Sequence, residues 1–244
     1  MANFWNIVKQ VISDSDVLLE IIDARMVDES RNPEIEQKVR HTGKTLIYVI
    51  NKCDLVEKNT LDKFKKSLRP CVFLSATERL GTSFLRKEIM KHAPNGMFKV
   101  GVLGYPNTGK SSIINALKGK KSAPTASISG YTKSLQLIRV SKRMYLLDTP
   151  GVFPYNEKDE AKHTKIAAKT FGNLKDPEGS AMGLLKEFPF TIENYYGVSH
   201  TPDPEEVLEF IAIKLKKLRK GGLPDLNSAA RIIIQDWQKG KIKN

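Results

Sequence analysis

The segment Gly104-Tyr105-Pro106-Asn107-Thr108-Gly109-Lys110-Ser111 constrains this chain more than any other. It follows an apolar run, Phe98 to Leu103, that reads as a strand, and it precedes Lys110 to Leu117, whose spacing reads as a helix. A glycine-rich turn between strand and helix is the G-x-x-x-x-G-K-[ST] pattern in the context that gives it meaning. The glycines let the backbone wrap an anion, so that successive N–H groups and the helix N-terminus face negative charge. A strand feeding a helix in this way predicts an α/β layer.

The flanking sequence repeats that alternation. Val17 to Ile22, Thr45 to Ile50 and Val72 to Leu74 read as strands; Pro33 to Arg40, Leu61 to Leu68 and Gly81 to His92 read as helices between and after them. Leu135 to Val140 and Met144 to Leu147 pair around Ser141-Lys142-Arg143, a Lys, Ser, Gly, Pro and Thr-rich loop spans Gly119 to Lys133, and Asp159 to Phe171 reads as helical. The pattern predicts a mostly parallel sheet flanked by helices over residues 1–175. Strand signals stop after Gly172, and residues 176–244 read as an all-α domain. Asp203-Pro204-Glu205-Glu206 opens a helix with Leu208, Ile211, Leu215 and Leu218 in one stripe up to Gly221-Gly222; a second helix from Pro224 to Gly240 carries Ala230, Ile233, Ile234 and Trp237.

Composition excludes several classes. No apolar run approaches the roughly 18–20 residues of a membrane span, and Met1 to Lys9 has neither a basic start nor an apolar core of a secretory signal. A cytoplasmic protein without membrane contact is expected. Cys53 and Cys71 are too few for a disulfide scaffold or a four-cysteine zinc site. The net charge of +13 is unevenly spread: residues 1–98 carry +3, residues 99–175 carry +10, and residues 176–244 are neutral but polarised, −7 over 176–209 and +7 over 210–244. A basic middle and tail point to a polyanion partner.

The phosphate-binding turn assigns roles by position. Lys110 would reach the β- and γ-phosphates, the Ser111 hydroxyl would bind Mg²⁺, and the Ser112 N–H would meet the α-phosphate; Thr108 and Gly109 complete the cradle. Asn51-Lys52-Cys53-Asp54, at the end of the Thr45 strand, selects the base. Guanine shows two adjacent donors, N1–H and N2–H₂, which one carboxylate accepts together; Asp54 suits that role, the Lys52 stem would lie over the ring, and Asn51 would brace the loop. In Ser75-Ala76-Thr77 a backbone N–H would meet the guanine O6. Asp148-Thr149-Pro150-Gly151 places a carboxylate for Mg²⁺ and the Gly151 N–H where a γ-phosphate arrives, and Thr132 in the basic loop is the candidate switch threonine on Mg²⁺.

Together these segments resemble the motif set of GTP-hydrolysing switches, in an altered order: Asn51 to Asp54 and Ser75-Ala76 precede Gly104 to Ser111, Thr132 and Asp148 to Gly151. The chain resembles the circularly permuted GTPases of the YlqF/RbgA/YawG family. Asp23-Ala24-Arg25 and Ser30-Arg31-Asn32-Pro33 match its early segment; Asn194-Tyr195-Tyr196-Gly197, Gly221-Gly222-Leu223-Pro224-Asp225 and Ala229-Ala230-Arg231 match its helical domain. The resemblance implies a circularly permuted P-loop GTPase domain followed by an RNA- or ribosome-binding helical domain. It implies GTP, GDP and Mg²⁺ as ligands, and a role in assembling the large ribosomal subunit by binding rRNA or the pre-ribosome, as a monomer when free. Asn107 matches the position that in potassium-dependent relatives helps hold K⁺ against the phosphates, which implies K⁺ as a further cofactor.

Val152 stands where Ras-like enzymes carry a water-orienting Gln, so slow hydrolysis without an activator is expected, with Lys110, Asn107, Thr132 and Gly151 stabilising charge. No general base is nominated; His163 reads as a surface or packing residue. Lys214, Lys216, Lys217, Arg219, Lys220, Lys239, Lys241 and Lys243 are candidate phosphate contacts, while Phe188, Phe190, Tyr195 and Tyr196 read as core, with base stacking the alternative. Two other functions fit the same residues. One is an RNA-binding assembly chaperone that holds GTP as a conformational ligand and scarcely hydrolyses it. The other is a GTPase acting on another RNA or on a protein.

Overall fold

A computed structural model describes residues 2–119, 136–149 and 176–243. The chain divides into two compact units, Met1–Lys158 and Asp159–Asn244. The expected boundary after residue 175, the basic loop and the expected helix from Asp159 to Phe171 lie outside the described residues.

The first unit is built on six strands: β1 (Val17–Asp23), β2 (Thr45–Asn51), β3 (Cys71–Phe73), β4 (Phe98–Leu103), β5 (Gln136–Arg139) and β6 (Met144–Asp148), in the spatial order β3-β2-β1-β4-β6-β5. Neighbours run parallel except β5 and β6, which form an antiparallel pair. All seven residues of β1 are buried, as a central strand covered on both faces requires, and its sequence is accordingly almost continuously apolar. Val17, Leu19 and Ile21 pack with Leu85 and Ile89 of α5 (Thr82–His92) and with Ile113 and Leu117 of α6 (Lys110–Lys118). On the opposite face Leu18 packs with Ile35 and Val39 of α2 (Pro33–His41). Two layers of helices therefore sandwich the sheet.

That second face also holds a helix the strand–helix reading does not predict. In α1 (Ala2–Asp14) Trp5, Val8, Val11 and Ile12 are buried at helical spacing and join Leu103, Leu137 and Leu147. The helix expected from Leu61 to Leu68 begins earlier and is two short pieces, α3 (Lys58–Asp62) and α4 (Phe64–Ser67), joined through Lys63 in helical backbone. Leu61 and Phe64 both turn inward toward Ile22 and Ile50.

In the second unit, α7 (Pro177–Glu187), α8 (Thr191–Tyr196), α9 (Pro204–Lys214) and α10 (Leu226–Gln238) make up the described regular structure apart from one bridge. Asp176, Asp203 and Asp225 cap three of them, each carboxylate accepting a first-turn N–H at 2.9 to 3.1 Å. The expected stripe through Leu215 and Leu218 is cut short: α9 ends at Lys214. Lys216 takes left-handed backbone, Arg219 N–H donates to the Leu223 carbonyl at 2.8 Å, and Asp225 N–H to that of Lys217 at 2.8 Å. This hairpin around Gly221-Gly222 pairs Leu218 with Pro224 and leaves Leu218 half exposed. Phe188 stacks on Trp237 at 4.5 Å, and Tyr196 is buried with its hydroxyl donating to Asp236 at 3.0 Å. These two aromatics are core; Phe190 and Tyr195 are exposed.

No helix among the described residues is long and apolar enough to cross a membrane.

Candidate nucleotide site

From β1 the chain builds outward to β2 and β3, then returns to place β4 on the other side of β1. Open parallel sheets bind ligands outside the carboxyl ends of their strands at such a reversal. Asp23, Asn51, Leu103 and Asp148 are the final residues of β1, β2, β4 and β6, so the segments singled out by sequence converge on one edge.

After β4 the chain turns at Gly104, whose φ is +134°; a Cβ there would lie 2.5 Å from the Ile21 carbonyl oxygen. Gly109 has φ +100°, and a Cβ would come within 2.1 Å of the Asn51 amide nitrogen. Both positions need glycine because the loop is pressed against β1 and β2. Asn107 adopts left-handed backbone, φ 60°, which asparagine tolerates better than most residues. Thr108 is buried and its hydroxyl donates to the Tyr105 carbonyl at 2.9 Å.

Lys110 curls back over this loop. Its Nζ donates to the carbonyls of Gly104 at 3.1 Å and Tyr105 at 2.6 Å. Burial pulls its pKa down to about 8, against the opposing pull of Asp148. Burial also raises the Asp148 pKa, while Lys110 and the Thr149 N–H lower it. The Thr149 hydroxyl donates to the Val102 carbonyl at 2.7 Å and so ties the end of β6 to β4. Ser111 and Ser112 are exposed in the first turn of α6.

The base side is linked to the phosphate side by one amide. Asn51 Nδ2 donates to the Thr108 carbonyl at 2.9 Å, and Asn51 Oδ1 accepts the Ala76 N–H at 3.2 Å. The Ala76 N–H, expected on the guanine O6, is thus engaged by Asn51. The small side chain allows this close approach, and Ser75, fully buried, holds the turn by accepting the Glu78 N–H at 3.2 Å. Asp54 stands in a 3-10 turn, Cys53–Leu55, and its Oδ1 is buried with no hydrogen-bond partner among the described residues. A buried carboxylate oxygen of this kind needs donors, and the guanine edge supplies two.

Lys52 is held by residues whose part the motif does not announce. Its backbone is left-handed, φ 62°, and its Nζ donates to Asp23 Oδ2 at 2.7 Å. Asp23 also receives Arg25 in a two-pronged grip, Nε to Oδ1 at 3.0 Å and Nη2 to Oδ2 at 2.7 Å. Burial raises the Asp23 pKa, but Arg25 and Lys52 outweigh it and hold the carboxyl well below the usual range. Burial lowers the Lys52 pKa, opposed by Asp23. The parallel register sets Asp23 beside Asn51, which is why a residue at the end of β1 meets one just past β2.

Of the candidate Mg²⁺ ligands, Ser111 and Asp148 flank Lys110 at the ends of α6 and β6; Thr132 lies outside the described residues, as do Gly151, Val152 and His163.

Residues 99–184 match the family described as 50S ribosome-binding GTPase. A GTP-binding protein of Methanocaldococcus jannaschii, uncharacterized by its own name, is 41% identical over 97% of this chain and 65% of its own length. Nucleolar GTP-binding protein 2 of Saccharomyces cerevisiae is 36% identical over 98% of this chain and 52% of its own. The chain thus spans about two-thirds of the archaeal relative and about half of the nucleolar one. Among solved structures, GNP-bound YlqF from T. maritima matches with a TM-score of 0.71 at 23% identity, covering 98% of this chain and 94% of that one. With base-selecting loops before the phosphate loop and strands in this order, the chain has the circularly permuted fold of YlqF and is similar over nearly its whole length to GTP-binding proteins.

Proposed function

We propose that this protein binds Mg²⁺·GTP at the edge described above and hydrolyses it as a timer in assembly of the large ribosomal subunit, acting in the cytoplasm as a monomer when free. The observation that carries the nucleotide reading is Asn51: one amide couples the phosphate loop at Thr108 to the base-side turn at Ala76, and the same loop holds the buried Asp54 Oδ1, which has no partner among the described residues. Bound Mg²⁺ supplies positive charge to the β- and γ-phosphates. Ser111, Asp148 and Thr132 would hold it, and Asn107 would hold K⁺. Lys110 would exchange its two carbonyl acceptors for phosphate oxygens, and the Gly151 N–H would meet the γ-phosphate. The ribosomal part rests on the description of the matched family. Residues 1–175 carry the nucleotide chemistry in this reading. Residues 176–244 meet rRNA through the exposed Lys214, Lys216, Lys217, Arg219 and Lys220.

The test is steady-state GTP turnover in KCl, with and without salt-washed large subunits from the same source. Stimulation of roughly tenfold or more, lost in Lys110→Ala and weaker in NaCl, is expected. Equal rates in both salts refute the K⁺ assignment, and no stimulation by subunits refutes the ribosomal one.

Lys110 gives a second expectation. With its pKa near 8 in the free protein and raised again beside phosphate, nucleotide binding must take up a proton. Uptake is about half a proton per nucleotide at pH 8 and falls toward zero by pH 6.5. Calorimetry in buffers of different ionisation enthalpy reads this directly. Lys110→Arg, which does not titrate, abolishes the uptake; an unchanged value shows that another group carries the proton.

A further inference from the structure

The second unit contains a pocket of about 250 Å³, with apolar walls from Leu185, Pro189, Pro202 and Val207. Glu193 and His200 also line it. Glu193 is only 2% exposed. Its Oε1 receives His200 Nδ1 at 2.9 Å, and its Oε2 is buried with no hydrogen-bond partner among the described residues. Burying a carboxylate oxygen without a donor is costly, and a ligand that brings a donor to Glu193 would relieve that cost.

Charge and aromatic placement narrow that ligand. Residues 176–209 hold eight Asp and Glu against one Lys. Asp203, Glu205 and Glu206 are exposed on the segment that supplies Pro202, Pro204 and Val207 to the pocket. Such a surface repels nucleic acid phosphate and attracts cations. Lys186, also in the lining, has an exposed side chain. The Phe190 ring is exposed and lies 4.0 Å from that of His200 in a tilted stack. Phe190 keeps left-handed backbone, φ 66°, a conformation uncommon for an aromatic residue. A planar cation can lie against such a pair while donating to Glu193.

We infer that this pocket is a docking site for the guanidinium of an arginine in a basic protein segment. It does not depend on the GTPase reading.

The probe is N-acetylarginine N-methylamide, titrated into isotopically labelled full-length protein while the His200 ring resonances are followed; His200→Asn assigns them. The arginine probe shifts these resonances saturably, and its citrulline counterpart, equal in shape but uncharged, does not. Glu193→Gln weakens the arginine probe at least tenfold, and Phe190→Ala weakens it several-fold, with GTP affinity unchanged in both. Phe190 is exposed, so that variant carries the test should Glu193→Gln unfold. Equal response to citrulline, undiminished binding in the variants, or stronger displacement by a short single-stranded RNA than by arginine overturns the proposal.

Discussion

In Asp54→Asn, GTP affinity should fall by about 100-fold, roughly 2.7 kcal/mol, and xanthosine triphosphate should become the preferred ligand. The wild-type carboxylate offers two acceptors to the N1–H and N2–H₂ donors of guanine. An amide offers one acceptor and one donor. Guanine then faces a donor with a donor, while xanthine, which has a carbonyl in place of the 2-amino group, is matched. The effect is large because Asp54 Oδ1 is buried and has no partner among the described residues, so no neighbour compensates. Competition of GTP and xanthosine triphosphate for a fluorescent nucleotide measures it. An undiminished guanine preference removes Asp54 from base selection.

Glu20→Gln should stabilise the first unit by roughly 3 kcal/mol or more at pH 8 and change little at pH 5. Glu20 is fully buried on β1, with Oε1 accepting the Asn32 N–H at 2.7 Å and Oε2 without a partner among the described residues. Burial, aided by Glu36, pushes its pKa from 4.5 up to about 8. Between those two values the unfolded chain releases the proton and the folded one keeps it. The folded state therefore binds more protons, and its stability declines as pH rises through that window. Glutamine is neutral throughout and keeps the acceptor for Asn32. Urea unfolding followed by Trp5 fluorescence, in a Trp237→Phe background so that only the first unit reports, gives the comparison at both pH values. A variant less stable at pH 8 than wild type overturns the assignment of a neutral Glu20.

The parts of this fold legible in sequence are those written in local pattern. Runs such as Phe98 to Leu103 and Thr45 to Ile50 announce buried parallel strands because they are predominantly apolar, and Asp203-Pro204 announces a helix start. Asp176-Pro177 carries the same start signal for α7, and Trp5, Val8, Val11 and Ile12 carry the period of α1; both helices were readable by the same rules. What local pattern does not contain is pairing at a distance. The grip of Asp23 on Lys52 follows from the register that sets Asp23 beside Asn51. The end of α9 follows from the contact of Leu218 with Pro224 across a turn. In the site, residue types and spacing mark the phosphate loop and Asp54, whereas the double duty of Asn51 needs three loops in place at once.

The position of α1 bears on how the chain matures as it is synthesised. β1 is the central strand, yet the partners that cover α1 include Leu103, Leu137 and Leu147. α1 is thus made well before part of the surface that covers it. Residues 17–92 supply three adjacent strands and the base-side turns before the phosphate loop has been made, the reverse of the order in a chain that begins with its phosphate loop. Until β4 and β6 arrive, a nascent chain displays the apolar face of α1 and an open edge of β1. That is an invitation to chaperones, or to aggregation, and it comes directly from permuting the order of synthesis.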